Sequence, residues 1–214
     1  MNPILIDSHA HIYLNEFKDD IELIIEKSVS NNISKILMPN INLETVTENL
    51  KLSSSFDRVC YSMLGLHPCY IKKNYKEEIQ KIFKNFNDKI IAIGEIGIDL
   101  FRNNKNYNDQ VDALKIQCEF AIKNKLPVVI HTRNSIDETI EVIRSFKNKD
   151  LKGVFHCFVG NYNQANKIID LGFKLGIGGI LTFKNSDLKE TISKIDIKNL
   201  ILETDSPYLS PEPL

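Results

Sequence analysis

The chain has 214 residues, 43% of them hydrophobic and 26% charged, which suits one globular domain with a substantial core and excludes a disordered or fibrous chain. Lysine and arginine total 27 against 28 aspartates and glutamates, a formal net charge of -1 that excludes a global basic field and leaves only local patches for any nucleic-acid partner. The start, Met1-Asn2-Pro3-Ile4-Leu5-Ile6-Asp7, has no basic segment and too short an apolar run for a secretion signal, and no stretch approaches the roughly 18 apolar residues that span a bilayer. A cytoplasmic protein with no membrane partner and no obligate protein partner is expected. The cysteines Cys60, Cys69, Cys118 and Cys157 are scattered, so reduced thiols are expected rather than a disulfide framework or a zinc knuckle.

In chain order, the first strand is expected at residues 4–6, followed by a helical face of Ile21, Ile24, Ile25, Ser28 and Val29. Strands follow at 35–38, 60–64 and 90–93. Val111, Leu114, Cys118 and Ile122 form the next helical stripe, before a strand at 128–130. Ser135-Ile136-Asp137-Glu138 reads as a capping box opening a helix buried through Ile136, Ile140 and Ile143. After a strand at 154–155, Ala165, Ile168 and Ile169 share a face stopped by Gly172 at a C′ position. The last strands are expected at 174–177 and 200–202. Most of these runs are continuously apolar, as expected of strands covered on both faces. Eight strands alternating with helices, with no repeat or linker, predict a single α/β domain over 1–214 folded as a (β/α)₈ TIM barrel. A doubly wound open sheet is the alternative, but no glycine-rich phosphate loop follows the first strand. The sequence shows no helix after the eighth strand, so the barrel is expected to be short at its C-terminal end, with at least one of Leu200, Ile201 and Leu202 facing outward.

The chemistry-bearing residues fall at the strand ends, where barrel active sites are built. His9 and His11 follow the first strand as His-x-His, a spacing that points both the same way. His67 follows the third strand, Glu95 the fourth, His131 the fifth, His156 the sixth and Asp205 the eighth. A lone strand-end histidine is ordinarily a hydrogen-bonded core or loop residue. Glu95 could be a buried salt bridge, and Asp205 could cap the turn before Pro207. Closure of the barrel nevertheless brings all of them to one mouth, which argues for metal ligation.

At this point the sequence resembles the TatD family of metal-dependent deoxyribonucleases. The resemblance rests on Asp7-Ser8-His9-Ala10-His11, Gly65-Leu66-His67-Pro68, Gly94-Glu95-Ile96-Gly97-Ile98-Asp99, the run from Leu126 to Arg133, the run from Gly153 to Phe158, and the run from Leu202 to Leu209. It implies a TIM barrel that hydrolyses DNA phosphodiester bonds, often from the 3′ end, with divalent metal. It also implies that His9 and His11 bind a first cation and His131 and His156 a second. Glu95 would bridge them, and Asp205 would ligate the first and act as general base. Relatives continue past Pro211-Glu212-Pro213 with an Arg-Gly-Lys-x-Asn segment and a final helix that this sequence does not contain.

Two divalent cations about 3.5–4 Å apart can polarise a phosphoryl oxygen, activate water and stabilise the leaving oxygen, so the ligand set suits an anionic phosphodiester independently of the resemblance. Four imidazoles favour Mn, Zn or Fe over Mg, whereas the resemblance implies activity with Mg; Mg or Mn is therefore expected in turnover, with Zn the alternative as bound ion. His67, Arg102 and Arg133 are candidate substrate contacts, with Lys72 and Lys73 adding charge nearby. Residues 99–107 mix cations with aromatics, as single-strand platforms do. For each of these the alternative is a solvated polar loop. The runner-up enzyme is an amidohydrolase acting on a cyclic amide or ester. Dinuclear members of that class commonly place a carbamylated lysine where this chain has Glu95, which favours the nuclease. The third reading is a non-catalytic metal-binding barrel.

Overall fold

The computed structural model describes residues 3–102 and 104–213. Among these, strands and helices alternate in the order β1 (Leu5–Asp7), α1 (Ile21–Ser30), β2 (Ile33–Met38), α2 (Val46–Ser55), β3 (Cys60–Ser62), α3 (Tyr75–Phe83), β4 (Ile93–Asp99), α4 (Tyr107–Lys123), β5 (Val128–Arg133), α5 (Ile136–Arg144), β6 (Gly153–Phe155), α6 (Tyr162–Asp170), β7 (Lys174–Ile177), α7 (Leu188–Ser193) and β8 (Leu200–Leu202). Each successive strand pairs in parallel, β1-β2-β3 in one sheet and β4-β5-β6-β7-β8 in the other. Parallel neighbours need a crossover, and the intervening helices supply it.

Single bridges rather than full ladders join the two sheets, Leu64 to Ile93 on one seam and Ala10 to Ser206 on the other. Gly94 N–H donates to the Leu64 carbonyl (2.9 Å) at the first seam. At the second, Ser8 N–H donates to the Leu202 carbonyl (3.1 Å) and Asp205 N–H to the His9 carbonyl (2.8 Å). The architecture is the α/β barrel that the sequence predicts, with sparse pairing where β1 meets β8.

The apolar stripes find their places. Leu114 and Cys118 of α4, Ile140 and Ile143 of α5, and Ala165 and Ile168 of α6 pack on Ile96, Ile98, Ile130, Phe155 and Leu175 from the strands. Each such fully buried aliphatic side chain contributes about 1.5–3 kcal/mol relative to exposure. A separate cluster of Met63, Ala92, Val129 and Val154, with Leu37 and Ile201, is drawn from the strands and their approaches alone and fills the interior. Side chains along a strand face alternate sides, so the residues two steps beyond Val129, Val154 and Ile201 extend from the same side. Those residues are His131, His156 and Glu203.

Three expectations are corrected. The fourth strand runs over Ile93–Asp99 rather than 90–93, so Glu95 lies inside a buried strand rather than beyond its end. Ser135 does not cap α5: its hydroxyl donates to the Ile98 carbonyl (2.6 Å) and accepts from Arg133 N–H (3.1 Å). The capping box is instead at α6, where the side chains of Asn161 and Gln164 each accept the other's backbone N–H at 3.0 Å. Val29 is exposed, leaving Ile25 as the buried residue of α1.

Gly172 ends α6 as expected. At φ +85° its N–H donates to the Ile169 carbonyl and Phe173 N–H to the Ile168 carbonyl, a Schellman ending. On β8, Leu202 is 60% exposed, the outward apolar residue expected of that strand. No helix among the described residues is long and apolar enough to cross a membrane.

Candidate metal centre

The ends of β1 and β8 are tied by Asp7. Its carboxylate accepts Thr204 N–H (3.0 Å), the Thr204 hydroxyl (2.7 Å) and His9 N–H (3.2 Å). This clamp sets the chain direction for His9 and His11 on one side of the seam and Asp205 on the other. Asp205 takes a left-handed backbone, φ +59°, uncommon for a residue with a side chain and a mark of a constrained site.

Glu95 is at the centre, and its two oxygens face different partners. Oε2 lies 3.3 Å from His9 Nε2 and 3.5 Å from His11 Nε2. Oε1 lies 2.8 Å from His131 Nδ1, 3.1 Å from His156 Nε2 and 3.3 Å from His67 Nε2. Asp205 Oδ1 is 3.5 Å from both His9 Nε2 and His11 Nε2, which are themselves 3.1 Å apart. The carboxylate thus divides two sets, His9–His11–Asp205 on the Oε2 side and His131–His156, with His67 beside them, on the Oε1 side. All the strand-end candidates named from the sequence meet here.

Polar groups stand behind three of the imidazoles. The Tyr13 hydroxyl donates to the Pro39 carbonyl (2.7 Å), so it faces His11 Nδ1 (3.1 Å) as an acceptor and makes Nε2 the nitrogen that offers a lone pair once the ring is neutral. Asp99 Oδ2 sits 3.1 Å from His131 Nε2, and Glu203 Oε1 3.4 Å from His156 Nδ1. Sequence reasoning gave no role to Tyr13, Asp99 or Glu203. Their signals are slight: Asp99 is four residues beyond Glu95 on the same strand, and Glu203 is two before Asp205.

Burial alone would protonate Glu95, but the imidazoles around it, His67 and His156 first, hold its carboxyl well below the usual carboxylate range. The converse acts on the rings. Burial pulls His11 down, yet its hydrogen bonds to Asp205 and Glu95 raise it to about 9. His156 is likewise raised against burial by Glu95 and Glu203. His9 and His67 go the other way, lowered chiefly by burial. Imidazole nitrogens and carboxylate oxygens that converge at hydrogen-bond distances make a donor set that fits divalent cations, whose charge would replace the protons.

The centre opens into a cavity of about 570 Å³ lined in part by His67, Arg102, Arg133, Cys157, Asp205 and Tyr208. His67 Nδ1 accepts the Cys69 N–H (3.1 Å), which leaves the ring proton on Nε2, the nitrogen facing Glu95. In that tautomer His67 donates into the cavity and offers no lone pair to a cation. Arg133 lies over the exposed Phe101 ring, 4.1 Å from its centroid. Lys72 and Lys73 are exposed and do not line the cavity, and Asn103 of the expected 99–107 platform lies outside the described residues. Cys69 and Cys157 also line the cavity, and desolvation together with nearby carboxylates pushes both thiols up to about 12.

The chain is similar to known proteins over nearly its whole length. Residues 6–214 match the family described as TatD-related DNase. An uncharacterised metal-dependent hydrolase of Buchnera aphidicola is 36% identical over 222 residues, covering 98% of this chain and 83% of that protein. The crystal structure of YjjV, a TatD homologue from Escherichia coli, superimposes with a TM-score of 0.91 at 28% identity, over 98% of this chain and 82% of that one. A TatD-family hydrolase from Entamoeba histolytica shares the fold at TM-score 0.86 and 23% identity, over 98% and 76%. With the family model matching nearly the whole chain, this protein belongs to the TatD-related DNases and is a metal-dependent hydrolase.

Proposed function

We propose that this hydrolase cleaves DNA phosphodiester bonds, as a 3′–5′ exonuclease on single-stranded ends, at a centre for two divalent cations. What supports the reading is the division of ligands by Glu95, one carboxylate oxygen toward His9 and His11 and the other toward His131 and His156. Asp205 completes the first set. Cations held there would polarise a phosphoryl oxygen, generate a nucleophile from water and stabilise the departing oxygen. The imidazole-rich donor set suits Mn, with Zn the alternative as bound ion, while the family membership points to Mg as an ion that also supports turnover.

The chain's own groups supply the rest. Asp205, on the cavity wall, takes the water's proton as general base. His67, with Nε2–H turned inward, donates to a phosphate oxygen. Arg102 and Arg133 grip neighbouring phosphates from the rim. DNA is the substrate that uses this combination of an anion-seeking centre and a cationic rim.

Elemental analysis and titration test the centre: up to two divalent cations per chain are expected, removed by chelator together with hydrolysis, and both restored by Mg or Mn. Absence of specific metal binding would overturn the reading. His67→Ala is expected to retain the cations and lose turnover, whereas loss of a cation would place His67 among the ligands.

A further inference from the structure

For an imidazole to offer a lone pair at one nitrogen, its other nitrogen must carry the proton, and a buried N–H needs an acceptor. His11 and His131 have theirs in the Tyr13 oxygen and Asp99 Oδ2. His9 and His156 do not. Among the described residues, His9 Nδ1 and His156 Nδ1 are buried polar atoms without a hydrogen-bond partner, and so is Glu203 Oε2. An unpaired buried donor or acceptor costs about 1–3 kcal/mol, so three together in one place call for an explanation.

They belong to one neighbourhood. A ring nitrogen of His9, one of His156 and a Glu203 oxygen all lie within 4.8 Å of one another. The two rings stack, with centroids 3.8 Å apart and planes 14° apart, and each turns Nε2 toward Glu95. Glu203 is placed deliberately. Its Oε1 accepts the Cys157 N–H and lies 3.4 Å from His156 Nδ1. Gly176 of β7 makes room for it, because a Cβ there would stand 2.3 Å from Oε2. A carboxylate packed against Gly176, near two stacked rings whose Nδ1 atoms lack partners, is placed to serve both.

We propose that Glu203 is a positioning residue shared by the two ligand sets. With both rings ligating through Nε2, Oε1 would accept His156 Nδ1–H, 3.4 Å away in the metal-free site, and the unpaired Oε2 would close on His9 Nδ1–H, so one carboxylate would fix the tautomer of a ligand in each set. The proposal rests on the two-cation reading. It adds that the two sets are coupled from behind through Glu203 as well as from the front through Glu95.

The test uses zinc-loaded protein and the imidazole N–H region of its ¹H–¹⁵N NMR spectrum. Wild type is expected to show slowly exchanging Nδ1–H protons for both His9 and His156. Glu203→Ala is expected to lose both, and the isosteric Glu203→Gln, with one acceptor oxygen where two are used, to lose at least one. Chelator competition is expected to show both cations bound about 10- to 100-fold more weakly in the alanine variant, the usual scale for such outer partners. Persistence of the His9 proton in Glu203→Ala, of both protons in Glu203→Gln, or weakening of only one cation would overturn the proposal. A wild type that binds no pair of zinc ions would instead defeat the two-cation reading, and the two failures are read separately.

Discussion

Glu95 carries the negative charge that both ligand sets share, so its loss is felt on both sides. Glu95→Gln keeps the shape and removes the charge; hydrolysis is expected to vanish while circular dichroism stays native, and a well-folded variant with near-normal turnover would contradict the shared-ligand role. Asp205→Asn removes the proposed base and is expected to lower kcat by about 10²- to 10⁴-fold with a smaller effect on DNA affinity. The rings predict a pH dependence as well. His11 is raised to about 9 and His156 above its usual value by neighbouring carboxylates, so below these values the metal-free rings hold protons. A cation must displace them, and binding should therefore release protons and tighten as pH rises from 6.5 toward 9. Calorimetric titration in buffers of different ionisation enthalpy reads this directly; pH-independent affinity without proton release would contradict it.

At the scale of elements, caps and tethers give separable effects. Asn161→Ala, which breaks the α6 capping box, is expected to cost about 1 kcal/mol in urea unfolding. Ser135→Ala should cost more, about 1–3 kcal/mol, because it strands the buried Ile98 carbonyl on β4. Equal costs would mean that Ser135 acts only as a helix start. Ser135 also shows what sequence can and cannot carry. Its Ser-x-x-Glu spacing matches a capping box, and only the fold reveals that β4 offers its hydroxyl a better partner. The unbroken apolar runs at 128–130 and 200–202 made those strands legible. The fourth was misplaced because Gly94, Glu95 and Gly97 interrupt the pattern within a strand buried throughout, where the carboxylate serves the centre rather than the core. The ligand candidates were readable from strand-end position and family motif. Tyr13, Asp99 and Glu203 were not, since each matters only through a partner that folding brings to it.

For the whole molecule, a net charge of -1 means that any grip on DNA must be local. Arg102→Ala and Arg133→Ala are each expected to weaken single-strand binding and reduce its salt slope by about 0.7 per lost phosphate contact. An unchanged slope would return both to the solvated rim. Along the β1–β8 seam, Ile4, Ile6 and Leu202 stand exposed, a patch that favours self-association. Leu202→Ser should lower concentration-dependent light scattering with little change in melting temperature, and unaltered scattering would remove the patch as its cause. The central claim, two-cation hydrolysis of DNA from the 3′ end, is tested most directly with 5′-labelled single-stranded DNA and Mn- or Mg-reconstituted protein. The account predicts a ladder shortening from the 3′ end one nucleotide at a time, abolished by chelator and by Glu95→Gln. Intact DNA alongside turnover of a lactone or dipeptide by the same loaded protein would contradict it.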